Sequence, residues 1–123
     1  MMRYKAAMRL LRILLLALVL ASPVAAQRSG LYDVAGRNPD GSEYVGTLNL
    51  QQVGLSSFRI TWTIAGNTIE GAGMVSGLML GVVFQLGEQT GMGMYELRPN
   101  GELAGTWTIL GSQATGTETL RPR

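Results

Sequence analysis

The chain has 123 residues, ten basic against eight acidic side chains for a formal charge of +2, and neither Cys nor His. The absence of thiols and imidazoles excludes disulfides, thiolate or imidazole metal sites and the usual partners of nucleophilic catalysis. Without its first 26 residues the chain keeps six arginines against eight carboxylates, a formal charge of −2, so no basic stripe for nucleic acid is available.

The N-terminus reads as a targeting segment. Arg3, Lys5, Arg9 and Arg12 form a basic start, residues 13–21 are all apolar, Pro23 breaks the run, and Val24-Ala25-Ala26 offers small residues before Gln27. That layout predicts a secretory signal peptide, helical, over 1–26 and cut after Ala26. The apolar run is too short for a membrane-spanning helix, which needs about 20 residues. The expected working chain is therefore 27–123, one domain, exported to the periplasm or beyond.

Turn chemistry and period-two alternation divide this segment into eight strands. Strand one covers 31–36, with Tyr32 and Val34 on one face, and ends at the turn Asn38-Pro39-Asp40-Gly41. There Pro fixes φ and Gly supplies a positive φ. Strand two, 42–51, turns Tyr44, Gly46, Leu48 and Leu50 inward and Glu43, Thr47, Asn49 and Gln51 outward. Strand three, 58–64, points Phe58, Ile60, Trp62 and Ile64 one way and Arg59, Thr61 and Thr63 the other, and Gly66-Asn67 gives a two-residue hairpin signal. Strand four, 68–75, sets Ile69, Gly71, Gly73 and Val75 inside, and Ser76-Gly77 turns the chain.

Strand five, 78–86, is apolar on both faces. Gly81 and Gln85 mark the outer one, which leaves Leu78, Leu80, Val82, Phe84 and Leu86 inward. Strand six, 90–98, places Gly91, Gly93, Tyr95 and Leu97 against Met92, Met94 and Glu96, and Pro99-Asn100-Gly101 repeats the earlier turn. Strand seven, 102–110, aligns Leu103, Gly105, Trp107 and Ile109. Gly111-Ser112 closes the last hairpin, and strand eight, 114–120, lines up Gly116, Glu118 and Leu120.

Thr61-Trp62-Thr63-Ile64 recurs as Thr106-Trp107-Thr108-Ile109, an offset of 45 that also relates Gly66 to Gly111 and Gly71 to Gly116. Four strands separate the copies, so in a closed eight-stranded sheet the two indoles approach across the lumen. Mid-strand glycines on the inward face suit a sheet that bends to close, or make room for large side chains opposite. The expected fold is all-β: an eight-stranded antiparallel up-and-down β-barrel, whose closure removes both edges. A membrane barrel needs an apolar exterior and a polar interior. The alternations give the reverse, so the mature form is expected to be soluble.

Leu31-Tyr32-Asp33-Val34, Asn38-Pro39-Asp40-Gly41-Ser42, Tyr95-Glu96-Leu97-Arg98-Pro99-Asn100-Gly101 and Gly116-Thr117-Glu118-Thr119-Leu120 resemble the pattern of a group of small exported bacterial proteins, some labelled "fibronectin-binding protein". These motifs are turns and strands, so the resemblance implies fold and brings no site residues. The barrel shape, with Gly105-Thr106-Trp107, is also similar to avidin-like and lipocalin-like barrels, which hold small ligands in the mouth or lumen. The polar set of an avidin-like site is not recognisable.

Three features bear on function. Glu118 has inward parity, and an isolated buried carboxylate is costly, so it is expected to be paired, protonated or partly wet near the open mouth, with strand one offering the Tyr32 hydroxyl. The rings of Tyr44, Phe58, Trp62, Phe84, Tyr95 and Trp107 either fill the core or line a pocket; the pocket reading selects Trp62, Trp107, Tyr44, Tyr95 and Glu118 as ligand-binding residues. Met74, Met79, Val83, Met92 and Met94, with Ala72, share the outer face of strands four to six. An exposed apolar patch there suits a protein partner or a homo-oligomer. Asp40 and Glu43 match no calcium-loop spacing and read as turn residues, no cofactor is implied, and no two carboxylates point inward for hydrolytic chemistry. The chain reads as a binding module rather than an enzyme.

Overall fold

A computed structural model of the protein describes residues 29–123; the expected signal peptide, 1–26, lies outside them. Eight strands follow in chain order: β1 (Gly30–Arg37), β2 (Glu43–Gln52), β3 (Ser57–Ile64), β4 (Asn67–Ser76), β5 (Met79–Leu86), β6 (Gln89–Leu97), β7 (Leu103–Ile109) and β8 (Gly116–Pro122). Each pairs antiparallel with its chain neighbour, and β8 returns to β1, from Tyr32 opposite Pro122 to Arg37 opposite Thr117. The Arg123 amide extends this seam by donating to the Leu31 carbonyl at 3.0 Å. The all-β, eight-stranded up-and-down barrel expected from the alternation is the fold found.

The inward parity holds along most strands. Tyr32, Val34, Leu48, Leu50, Phe58, Ile60, Trp62, Leu80, Val82, Tyr95, Leu97, Leu103 and Leu120 form one buried cluster, while Asn49, Gln51, Arg59 and Thr63 face outward. Large residues and glycines alternate around the wall: Trp107, Gly93, Val82, Gly73 and Phe58 succeed one another across β7 to β3. The alternation is steric. A Cβ at Gly91 would overlap the Phe84 ring, and one at Gly116 would come within 2.6 Å of the Trp107 ring. Small neighbours thus let large rings lie inside a narrow cylinder.

Several local expectations are corrected. Leu78 does not begin β5 facing inward; it sits in a turn beside Gly77 (φ 59°) and is 57% exposed. The β3–β4 hairpin turns on Ala65-Gly66 rather than Gly66-Asn67, with both residues at positive φ (53° and 80°). That pair of left-handed conformations suits the right-handed twist of the flanking strands. The last connection is longer than a two-residue hairpin. Residues 110–115 form a loop held by the Thr108 hydroxyl, which donates to the Ala114 carbonyl at 2.8 Å, so β8 starts at Gly116.

Candidate ligand site at the barrel mouth

The two ends of the barrel differ. Leu50, Leu80, Leu97, Leu103 and Leu120 fill the end served by loops 53–56, 77–78 and 98–102. At the other end, under turns 38–42, 65–66 and 87–88 and loop 110–115, a cavity of about 180 Å³ remains. Its walls are Tyr44, Trp62, Phe84, Tyr95 and Trp107, with Ile64, Ile69, Leu86 and Asn38 toward the rim and Glu118 within.

One ladder row builds the polar centre. Tyr44 stands opposite Gly36, Gly36 opposite Glu118, Glu118 opposite Gly105, and Gly105 opposite Tyr95. A glycine therefore flanks the carboxylate on each side, and a tyrosine lies beyond each glycine. A Cβ at Gly36 would overlap the Tyr44 ring; its absence lets that ring lie over the wall toward Glu118. The Tyr44 hydroxyl donates to Glu118 Oε1 at 2.6 Å and the Tyr95 hydroxyl to Oε2 at 2.7 Å. Trp62 Nε1 donates to Oε2 from β3 at 3.0 Å.

Glu118 is thus 5% exposed with three donors, not a wet residue at the rim. Gly36 rather than Tyr32 is its neighbour on β1, and the hydroxyls that reach it come from β2 and β6. Burial, followed by the negative charge of Glu118 and the hydrogen bond donated to it, pushes the Tyr95 and Tyr44 hydroxyls well above their ordinary pKa.

The rings adjoin in a chain. Trp62 and Phe84 lie 5.4 Å apart at 59°, Phe84 and Trp107 6.1 Å apart at 73°, and Tyr44 and Trp107 6.4 Å apart at 66°. Phe84 sits between the indoles that the repeat expected to approach one another. The indoles also differ: Trp62 is bonded to Glu118, whereas Trp107 Nε1 is buried with no hydrogen-bond partner among the described residues. It lies near enough to the Tyr44 hydroxyl to oppose that group's upward shift, yet makes no bond to it.

Of the residues proposed from sequence, Trp62, Trp107, Tyr44, Tyr95 and Glu118 all line this cavity, whereas Phe58 belongs to the packed core. Ile64, Ile69 and Leu86 were legible as inward from parity, but nothing local told which end they occupy. Asn38 was hidden by its turn chemistry; its side chain also holds Ser42 Oγ at 3.1 Å. Asp40 accepts from the Ser42 amide and hydroxyl at 2.9 and 2.6 Å, and Glu43 pairs with Arg37 at 2.7 Å, so both serve the turn. No cluster of three or more acidic, His or Cys side chains among the described residues is placed to hold a metal.

On the outer wall, Ala72, Val83 and Met92 stand in one ladder row and Met74, Gly81 and Met94 in the next. Met74, Met79, Val83, Met92 and Met94 are all exposed and border a shallow groove of about 770 Å³.

No protein-family model and no curated protein matches the sequence. Solved structures do resemble it. A redesigned β-barrel, mFAP1, bound to DFHBI has a TM-score of 0.67 at 20% identity, over 80% of this chain and 97% of that one. A de novo designed fluorescence-activating barrel gives 0.58 at 22%, over 80% and 97%. A variant of the fluorescent protein UnaG gives 0.54 at 11%, over 80% and 98%. At these identities the likeness is one of fold: small closed β-barrels. The motif resemblance to exported bacterial proteins, with its fibronectin-binding label, gains no support from these comparisons.

Proposed function

We propose that the protein is an exported, soluble binding module that takes a small apolar or aromatic ligand into the barrel mouth. The observation that carries this reading is the asymmetry of the lumen, packed with leucines at one end and open, ring-walled and centred on a bonded carboxylate at the other. An apolar cavity of about 150 Å³ suffices for benzene, so about 180 Å³ suits one or two rings. The similar barrel with DFHBI bound supports the same use of the fold. Trp62, Trp107, Tyr44, Tyr95 and Glu118 are the proposed contacts. No catalytic role is assigned, since the chain has neither His nor Cys. Both indoles adjoin the cavity, so a flat probe such as 1-naphthol should quench their fluorescence saturably; a strictly linear response to this probe and to small charged organic probes alike would refute the reading. Export is tested by N-terminal sequencing of the protein from its native source, where a chain that begins at Met1 instead of Gln27 would count against it.

A second reading has its own observation. Gly81 faces outward in the middle of β5, at an ordinary negative φ, and a Cβ there would meet nothing within 4 Å. The barrel itself therefore gives no reason for a glycine, whereas the close approach of another chain would. Self-association through Met74, Met79, Val83, Met92 and Met94 fits that vacancy. Light scattering that finds a dimer lost on Met94→Glu would favour it; a monomer at high concentration would remove it.

A further inference from the structure

We infer that the mouth site takes an organic cation, a substituted ammonium that also carries an oxygen acceptor for Trp107 Nε1. The inference rests on the mouth being a ligand site and concerns the charge and polarity of what enters it. Glu118 places a negative charge inside the cavity, and its bonded partners, Tyr44, Tyr95 and Trp62, are all neutral donors. Among the described residues no cation balances it. Each of the described arginines is exposed, and the ion pairs they form, Arg37–Glu43, Arg121–Glu102 and Arg123–Asp33, lie on the outer surface. An anionic ligand would meet an uncompensated carboxylate, and a neutral one would leave it uncompensated.

The walls answer to the same chemistry. Adjoining rings stand at 59° to 73° to one another, so they enclose a rounded space rather than a stacking slot. Aromatic faces around a methylated ammonium attract it through their quadrupoles, most strongly where water is excluded. The trimethylammonium surface is also apolar enough for the Ile64, Ile69 and Leu86 side of the cavity. Trp107 Nε1 supplies the second half of the inference. A buried donor without an acceptor calls for an explanation, and a hydroxyl or carbonyl oxygen on the ligand would satisfy it.

The test is a fluorescence titration of the purified full-length protein at constant ionic strength. The probes are choline, tetramethylammonium and 3,3-dimethylbutan-1-ol, the neutral carbon isostere of choline, beside 1-naphthol. Choline should bind at least about tenfold more tightly than its neutral isostere, and more tightly than tetramethylammonium. Trp107→Phe, which keeps a ring and leaves Trp62 as reporter, should weaken choline more than tetramethylammonium, which loses only the stronger indole face. Equal or tighter binding of the neutral isostere, or saturable binding of 1-naphthol alone, overturns the charge assignment and leaves the mouth a ligand site. Silence from all four probes overturns both. Equal weakening of choline and tetramethylammonium in Trp107→Phe overturns the role of the indole N–H.

Discussion

Alkaline pH should destabilise this barrel through Tyr95, and the size of the effect follows from linkage. The Tyr95 hydroxyl is buried and held against Glu118, so its folded-state pKa lies well above the ordinary 10.0. Below that value both the folded and unfolded chains keep the proton, and this group gives stability no pH dependence. Above it the unfolded chain releases the proton and the folded chain does not, so stability falls as pH rises, by about 1.4 kcal/mol per unit. Between pH 10 and about 11.5 the loss from Tyr95 alone comes to about 2 kcal/mol. Tyr44 acts in the same direction but is partly solvated, and its share should be smaller. The assay is urea unfolding followed by tryptophan fluorescence at about pH 9 and about pH 11.5, on the parent and on Tyr95→Phe. At the lower pH the variant should already be less stable by about 1.5–3 kcal/mol, the usual worth of a hydrogen bond to a charged group. Between the two pH values the parent should lose about 2 kcal/mol more than the variant. Because every other tyrosine is common to both proteins, the difference isolates Tyr95. Equal losses would mean that Tyr95 ionises as readily in the barrel as in the open chain, and would refute the buried triad around Glu118.

Two further substitutions probe the architecture. Ala65→Gly relieves a left-handed alanine (φ 53°) and should stabilise the protein by about 0.5–1 kcal/mol, read as a rise in Tm of several degrees; an unchanged or lower Tm would contradict the strained turn. Gly36→Ala drives a methyl into the Tyr44 ring and should cost about 1–3 kcal/mol, with Tyr44 displaced from Glu118; a Tm within one degree of the parent would contradict the close approach.

How far the fold could be read in advance depends on how local each determinant is. Strand β3 shows the favourable case: Phe58, Ile60, Trp62 and Ile64 alternate with polar residues, and period two assigns faces without knowledge of any neighbour. Strand β5 is apolar on both faces, so only Gly81 and Gln85 marked its outer side, and the same continuity carried Leu78 wrongly into the strand. The candidate site was legible as a set of residue types, because an inward glutamate among rings is conspicuous wherever it lies. Its geometry was not. Which hydroxyl reaches Glu118 depends on the register of β8 against β1, and that offset accumulates around the whole cylinder through seven connections.

The sequence alone therefore determined the eight strands, their inward faces and the closure that eight short-linked strands favour, since each of these follows from alternation and turn chemistry within about a dozen residues. Only the tertiary structure decided that Tyr44, Gly36, Glu118, Gly105 and Tyr95 share one row, that one end is packed and the other open, and that Trp62 is bonded to Glu118 while Trp107 Nε1 has no hydrogen-bond partner among the described residues. Those outcomes depend on ladder offsets between strands far apart in the chain, and no local pattern encodes an offset.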